Sequence, residues 1–438
     1  MIGGTAGSRS LGEPGLEELE AFFKRFPSVP SEVIVKEDVL RLGESYSDAA
    51  LQAAEGSQLK AYHIFSFDRV QVGKMRLGES LRAPEEIRIQ GGPYRLRPTV
   101  IATRVAYDSP YRVDLFEGKP ALFRGAEFLA HVEFPRKPRY YDDALEDGTL
   151  CSELTPMCFW GHLAVAVVLR NCHYFSTQEE CLFCDMNSNF RQQKESGRQY
   201  TAHKPLDKLI KVLKKIFLEK KEPESHALLV SGGAFLRKVD EKSDLDFYRV
   251  YIEAGKEAVG HRWPFVLQTV AREKEECKRL KAAGVDVHHS NFEVWDRRLF
   301  AILCPGKEKY VGRDEWLKRV VDSVEVFGEG GVCPTFVSGV EMSLPHGFRN
   351  VSDAVKSTAE GLDFLMSHGV VPRVTQWCVE PTSALAGQPP APLEYHVRIA
   401  ETWYETWKKY NLPPVGAYGP MGPGRAVYSN SAFMDMGS

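Results

Sequence analysis

Three cysteines, Cys172, Cys181 and Cys184, form a Cys-x8-Cys-x2-Cys run that directly follows an apolar stretch, His162 to Leu169. The thiolate is the form of cysteine that binds metals. In alternating β/α architectures the loops after the strands line the active site, so thiols on such a loop converge where chemistry is done. Three thiolates cannot fill the four corners of a [4Fe-4S] cluster, and the iron left over is open to a non-protein ligand. The same run also admits a zinc site with His173 near by, a disulfide with a spare thiol, or three cysteines packed as small core residues. Spacing alone leaves these open. The chain has nine cysteines, an odd number. A protein of this size needs no disulfide staples, which favours a reducing compartment and a metal or catalytic use of clustered thiols. Cys151, Cys158, Cys304, Cys333 and Cys378 read as packing thiols.

The elements that must position the run fall into two kinds. Up to residue 150, two segments with helical spacing (16–23 and 47–54) precede short alternating or β-branched segments at 87–90, 99–107, 113–116, 121–123 and 128–134, separated by Gly, Pro and Asp turns. They predict an N-terminal α+β accessory or lid domain over 1–150. The polar, proline-punctuated stretch 135–143 reads as a linker. Beyond it, apolar runs at 162–169, 226–230, 263–270, 285–292, 332–340 and 374–379 alternate with helical patterns at 206–220, 245–260, 274–284, 316–328 and 351–369. That alternation predicts an α/β fold: a parallel β/α barrel over 151–400, either partial with six units or a complete TIM-like barrel. A further helix at 393–410 and a Gly/Pro-rich tail, expected to wrap the surface, make up the C-terminal end over 401–438.

In this setting the cysteine run resembles the radical S-adenosylmethionine (SAM) superfamily, especially the branch with biotin synthase and the hydrogenase maturases. The usual family motif is Cys-x3-Cys-x2-Cys with an aromatic residue before the last Cys. Here Phe183 holds the aromatic place, while the first gap is stretched to eight. The resemblance covers roughly residues 160 to 385. It implies a [4Fe-4S] cluster on Cys172, Cys181 and Cys184, with SAM on the open iron. Ser231, Gly232, Gly233 and Ala234, after the second barrel strand, look like the family's Gly-Gly-Glu motif, with Ala234 in the Glu place. By the same analogy Gln268, Thr269, Glu293, Arg297, Arg298 and Gly339 are expected to meet SAM. Glu293, His288 and His289 are expected to act on substrate, and Trp377 and Glu380 fall where a substrate pocket would be built. The implied chemistry is reductive cleavage of SAM to a 5′-deoxyadenosyl radical, followed by hydrogen abstraction from a small-molecule substrate. A reducing partner such as flavodoxin or ferredoxin is implied as well.

Composition narrows the class further. The chain has 438 residues, 43% hydrophobic and 26% charged, with a formal net charge of −3. A near-neutral balance disfavours nucleic acid as the partner. No apolar stretch approaches the roughly 20 residues of a spanning helix. Met1 to Ser10 carry no signal pattern, so the expected location is cytoplasmic, or an organelle interior after removal of a transit peptide. Two rival readings are a non-catalytic iron-sulfur electron carrier and a zinc-stabilised structural protein.

Overall fold

The computed structural model describes residues 15–60, 83–195, 201–222 and 226–437. The first ten residues, read above for a signal pattern, lie outside them. The N-terminal region contains β1 (Ser45–Tyr46), β2 (Glu86–Gly91), β3 (Leu96–Ala102), β4 (Tyr111–Phe116), β5 (Lys119–Arg124) and β6 (Glu127–Glu133). They form one sheet in the order β1-β4-β5-β6-β2-β3, antiparallel except for β1 beside β4. The helices Glu17–Arg25, Ser31–Leu42 and Asp48–Ala53 accompany it. The middle one was not singled out above. Its buried positions include Glu32, Lys36, Glu37 and Asp38 as well as its valines, so charge runs right round the helix and hides the apolar period.

The second region begins with β7 (Met157–Cys158) and continues with β8 (Leu163–Leu169), β9 (Ala227–Gly232), β10 (Phe265–Gln268), β11 (Val287–His289), β12 (Thr335–Ser338) and β13 (Arg373–Gln376). Every residue of β8 is buried, as expected of a strand covered on both faces. Strands β8 to β11 pair in parallel and in sequence order, and β12 pairs in parallel with β13. Parallel bridges His288–Val332 and Glu293–Phe336 carry the arc from β11 to β12. Helices Leu206–Lys214, Asp244–Val259, Lys274–Ala283, Arg313–Phe327 and Val351–Ser367 lie between the strands, close to the expected ranges. Six parallel strands thus form an open arc. Among the described residues no strand pairing joins β13 back to β8, so the partial barrel holds and the complete one does not.

The open edge is covered by side chains and loops. Gln376, at the end of β13, donates through Nε2 to the Glu37 carbonyl oxygen (2.7 Å) and Oε2 (2.8 Å). Arg104 donates to Gln376 O at 2.8 Å and to Leu40 O at 2.7 Å. Across the same seam Lys36 Nζ reaches Asp435 Oδ2 and Tyr428 O, both at 2.7 Å, with the Lys36 and Asp435 side chains fully buried. Glu86 of β2 accepts the N–H groups of Phe159 (2.8 Å) and Trp160 (2.5 Å). Both of those residues have left-handed φ, 55° and 56°, which aims successive N–H groups at one carboxylate.

Two expectations need correction. The tail does not wrap the surface: Tyr418, Tyr428, Phe433, Met434 and Asp435 are buried. Its glycines and prolines give it an irregular path, but its aromatic and methionine side chains carry the apolar area that burial rewards. The stretch 135–143 is no loose linker either, because Tyr140 and Tyr141 are buried in the barrel core and Arg136 pairs with Glu222 at 3.0 Å.

Glu37 makes the seam sensitive to pH. Burial raises its carboxyl from 4.5 to about 7, against hydrogen bonds from Ala432 N–H and Ser431. The folded protein therefore keeps this proton in a range where the unfolded chain has released it, and stability falls as pH rises from 4.5 to about 7. The contribution is complete below that window and gone above it. Urea denaturation of Glu37→Gln across pH 4 to 8 should show a shallower decline than wild type; parallel curves would remove Glu37 as the source.

Candidate functional site

The cysteine loop leaves the end of β8 and packs against the loop that leaves β9. A side chain has no room at that contact: a Cβ on Gly233 would stand 2.2 Å from the Asn171 carbonyl oxygen and 2.5 Å from Cys172 Cα. One on Gly232 would stand 2.4 Å from the Tyr248 hydroxyl. With glycine at both positions the loops interlock, Ala234 N–H donating to Cys172 Sγ at 3.3 Å and His173 N–H to Ala234 O at 2.9 Å. The Cys172 N–H is held by Asn187 Oδ1 at 2.9 Å. A short 3-10 turn, His173–Thr177, takes up part of the long first gap and ends at Gln178 with φ 58°. Cys184 N–H then donates to Cys181 O at 2.9 Å, and Leu182 N–H to Leu303 O at 2.9 Å. His173 is engaged elsewhere, its Nδ1 accepting the Leu236 N–H at 3.0 Å.

Cys172, Cys181 and Cys184 are free thiols and line one cavity of about 340 Å³ within the arc. The same cavity is lined by Phe183, Ser231, Gly232, Gly233, Ala234, Gln268, Thr269 and Glu293 from the expected set, and by Trp377 and Glu380. Glu293 sits at φ 70°, a conformation that costs a non-glycine residue energy and tends to persist at functional sites. Its backbone is clamped to β12 by Glu293 N–H to Thr335 O and Val337 N–H to Glu293 O, each 2.8 Å. Its carboxylate holds Lys307 Nζ at 2.6 Å.

The electrostatics of the thiols follow from burial. The Cys172 thiol is pushed up to about 11 by burial, against the opposing N–H groups of Ala234 and Tyr174. Cys184 is held well above the ordinary thiol value by burial, then by Cys181 and Asp185. Thiolates here need positive charge to form, and a metal centre is one way to supply it. Lys307 is another. Burial pulls its ammonium down, but the Glu293 carboxylate and the Cys181 and Cys304 thiols outweigh that and raise it.

Five expected residues fall outside the cavity lining, four of them in two pairs. Arg297 lies on the surface, bridged to Asp314 at 2.6 and 2.9 Å, and Arg298 donates to His346 O at 2.8 Å. Both belong to the helix Arg297–Leu303, which Asp296 caps through Leu299 N–H. His288 and His289 are fully buried in β11, packed on Phe327 and Tyr418 with ring centroids 5.5 Å apart in each case. Burial lowers His288 to about 3 and holds His289 well below its ordinary value, so both rings are neutral. Gly339 is also off the lining; at φ 100°, it packs against Ala391 and His396.

Residues passed over in the sequence complete the walls. Lys307, Trp316, Arg373 and Tyr428 all line the cavity. Cys304 is fully buried, and its thiol is held well above the ordinary value by burial and then by the neighbouring Cys181 thiol. The short helix Pro305–Tyr310, which starts after Cys304 and carries Lys307, buttresses the cysteine loop, with Gly306 N–H donating to Glu179 O at 2.9 Å. The only sequence signal for that helix start is Pro305-Gly306, which marks a break without hinting at its neighbour.

No family model matches the chain. Among curated proteins it is similar to bacteriochlorophyllide c C-7(1)-hydroxylase of Chlorobaculum limnaeum, 26% identical over 136 residues, 31% of each chain. The chain thus spans under a third of that relative's length. Solved structures with a similar arrangement include methylornithine synthase, with TM-score 0.39 and 13% identity over 57% of this chain and 65% of the other. The FeFe-hydrogenase maturase HydG of Carboxydothermus hydrogenoformans has TM-score 0.39 and 12% identity over 62% and 59%. Coproporphyrinogen III oxidase of Escherichia coli, described as a radical SAM enzyme, has TM-score 0.36 and 11% identity over 63% and 58%.

Two substitutions test the geometry of the loop. Gly233→Ala forces Cβ into the Asn171–Cys172 backbone, a strain of about 1–3 kcal/mol, and should lower iron uptake during oxygen-free reconstitution while the circular dichroism spectrum stays unchanged. Cys304→Ser should keep the iron content of wild type; a loss of iron there would make Cys304 a fourth ligand.

Proposed function

We propose that this chain is a radical SAM enzyme that binds a [4Fe-4S] cluster through Cys172, Cys181 and Cys184 and removes hydrogen from a small molecule. The observation that carries the reading is that all three thiols of one loop line the same cavity as the Ser231–Ala234 turn and Glu293. The donor set suits the cluster: three free cysteines at one end of a parallel arc, with Ala234 N–H aimed at Cys172 Sγ. Hydrogen bonds to ligand sulfur tune a cluster's potential.

Bound there, the cluster and SAM supply an electron and a 5′-deoxyadenosyl radical that takes hydrogen from the substrate. The chain's own groups do the rest. The turn at Gly232 and Gly233 brings backbone close to the cysteine loop, and its peptide groups beside Ser231 and Ala234 would help hold the amino-acid end of SAM. Gln268, Thr269 and Glu293 border the space beside it, and Lys307 steadies Glu293. Phe159, Val165, Val167, Leu229 and Val337 form apolar walls that exclude water and hold the reacting C–H bond near the radical carbon. Residues 15–60 and 83–150, with the tail, cover the open edge of the arc as a lid or substrate-specificity unit. Hydroxylation of a C–H carbon, the reaction in the name of the curated relative, is one outcome open to such a site, and would make the chain an oxidoreductase. A flavodoxin or ferredoxin is the class of electron donor this chemistry requires.

Anaerobic reconstitution with iron and sulfide should give a broad visible absorption that dithionite bleaches, and the reduced protein should form 5′-deoxyadenosine from SAM. Cys184→Ala should abolish both. A protein that binds only zinc under these conditions, or a reduced cluster that leaves SAM intact, overturns the proposal in favour of a structural or carrier role.

A further inference from the structure

Arg373 opens β13 and faces into the arc. It is 5% exposed and lines the cavity. Two neutral oxygens fix its guanidinium: NH1 donates to the Tyr418 hydroxyl at 2.7 Å and NH2 to Thr335 Oγ1 at 2.6 Å. The Tyr418 and Tyr428 rings flank it, with centroids 4.8 and 5.7 Å from Cζ. These contacts orient the charge without neutralising it. Among the described residues no carboxylate lies within ion-pairing distance, and Nε has no partner. The contrast with Lys307, paired to Glu293 at 2.6 Å in the same cavity, is direct.

A buried, uncompensated cation is costly, and such groups persist where a counter-charge arrives from elsewhere. A planar guanidinium already locked by hydroxyls and rings is suited to a carboxylate. A second orphan points the same way: Trp377, buried and also lining the cavity, has an Nε1–H with no acceptor. Four residues separate the two along the strand direction, about 13 Å at 3.3 Å per residue. Arg373 lies at the amino-terminal start of its strand, whereas the cysteine loop follows the carboxyl end of β8. Its backbone is therefore on the floor side of the arc, and its guanidinium is held at Thr335, whose carbonyl oxygen takes the Glu293 N–H.

We infer that this cavity binds a largely apolar small molecule bearing a carboxylate, held by Arg373 at the floor, with Trp377 donating to an acceptor nearer the mouth. This specifies the substrate class for the enzyme proposed above and rests on that reading only for calling the ligand a substrate. The anion is distinct from the carboxylate of SAM, which belongs beside the cysteines.

The test uses the reconstituted full chain, with benzoate as probe, its neutral isostere benzamide and inorganic phosphate as comparisons, and calorimetric titration as readout. Benzoate should bind wild type at least roughly tenfold more tightly than benzamide or phosphate, equally well with SAM present. Arg373→Gln should lose that preference, and Arg373→Lys should keep part of it. Equal binding of benzoate and benzamide, phosphate binding as well as benzoate, displacement of benzoate by SAM, or an unchanged preference in Arg373→Gln would each overturn the inference. If Arg373→Gln does not fold, the wild-type comparison alone decides. Formation of 5′-deoxyadenosine by the same preparation without benzoate reads the radical SAM proposal separately, so either idea can fail while the other stands.

Discussion

The contact on which the site depends is backbone against backbone, where Gly233 meets Asn171 and Cys172 with no space for a Cβ. It joins the carboxyl ends of β8 and β9, which are already locked in parallel register from Leu163–Ala227 to Leu169–Gly232. Register fixes where each strand stops, and the glycine pair lets the two departing loops touch. Only then can the Ala234 N–H reach Cys172 Sγ. The thiols are half-buried on a loop of mostly irregular structure, so they gain their fixed positions from this contact, from Asn187 at the Cys172 N–H, and from the Leu303 carbonyl that holds Leu182.

The open arc has a consequence for the whole molecule. A sheet that does not close must have its last strand covered, because unpaired strand edges and an exposed lumen would admit water and other chains. Here the cover is polar and buried: Glu37, Arg104 and Lys36 on the N-terminal region, Gln376 on β13, and Asp435 on the tail. Such a seam has low tolerance for lost partners, since each buried charge depends on its neighbours. Residues far apart in the chain thereby form one wall of the cavity. The C-terminal helix and tail also share the N-terminal region's hydrophobic core, through Leu393, Val397, Ala400, Ala432 and Met436. That arrangement joins the two ends of the chain more tightly than the three-part division by residue number suggests.

What could be read from the sequence was what depends on periodicity and local spacing. Six apolar runs alternating with helical patterns marked all six parallel strands, because a strand covered on both faces is written as an unbroken apolar run. Cys172, Cys181, Cys184 and Gly232-Gly233 were legible because thiols and paired glycines are scarce and follow strands. Long-range partners were not. Arg297 and Lys307 stand ten residues apart with equal claims as cations, but a helix capped by Asp296 turns one outward and a second short helix, starting at Pro305, sends the other in beside Glu293. His288 and His289 look like a catalytic pair in one dimension; β11 packs both rings against aromatic neighbours. Tail burial depends on Lys36 meeting Asp435 across nearly the full length of the chain, and no local pattern encodes that.

The distribution of charge inside the arc completes the picture. Near the mouth, Lys307 lies beside Glu293 and the Cys181 thiol, so positive charge there is already spoken for by groups of the chain. At the floor side, Arg373 is hydrogen-bonded to hydroxyls and flanked by rings, with the Cys333 thiol and the Glu293 carboxylate acting on it only from beyond ion-pairing distance. A low-dielectric lumen makes that asymmetry count, because an unpaired charge there is felt strongly while a paired one is largely cancelled. On the proposed reading the two ends have different duties: the mouth is self-balanced to receive a cofactor that brings its own charges, and the floor carries a standing positive potential that orients whatever enters. A molecule with one anionic end and an apolar body would then present its opposite end toward the cysteines, which is where a hydrogen atom would have to be removed.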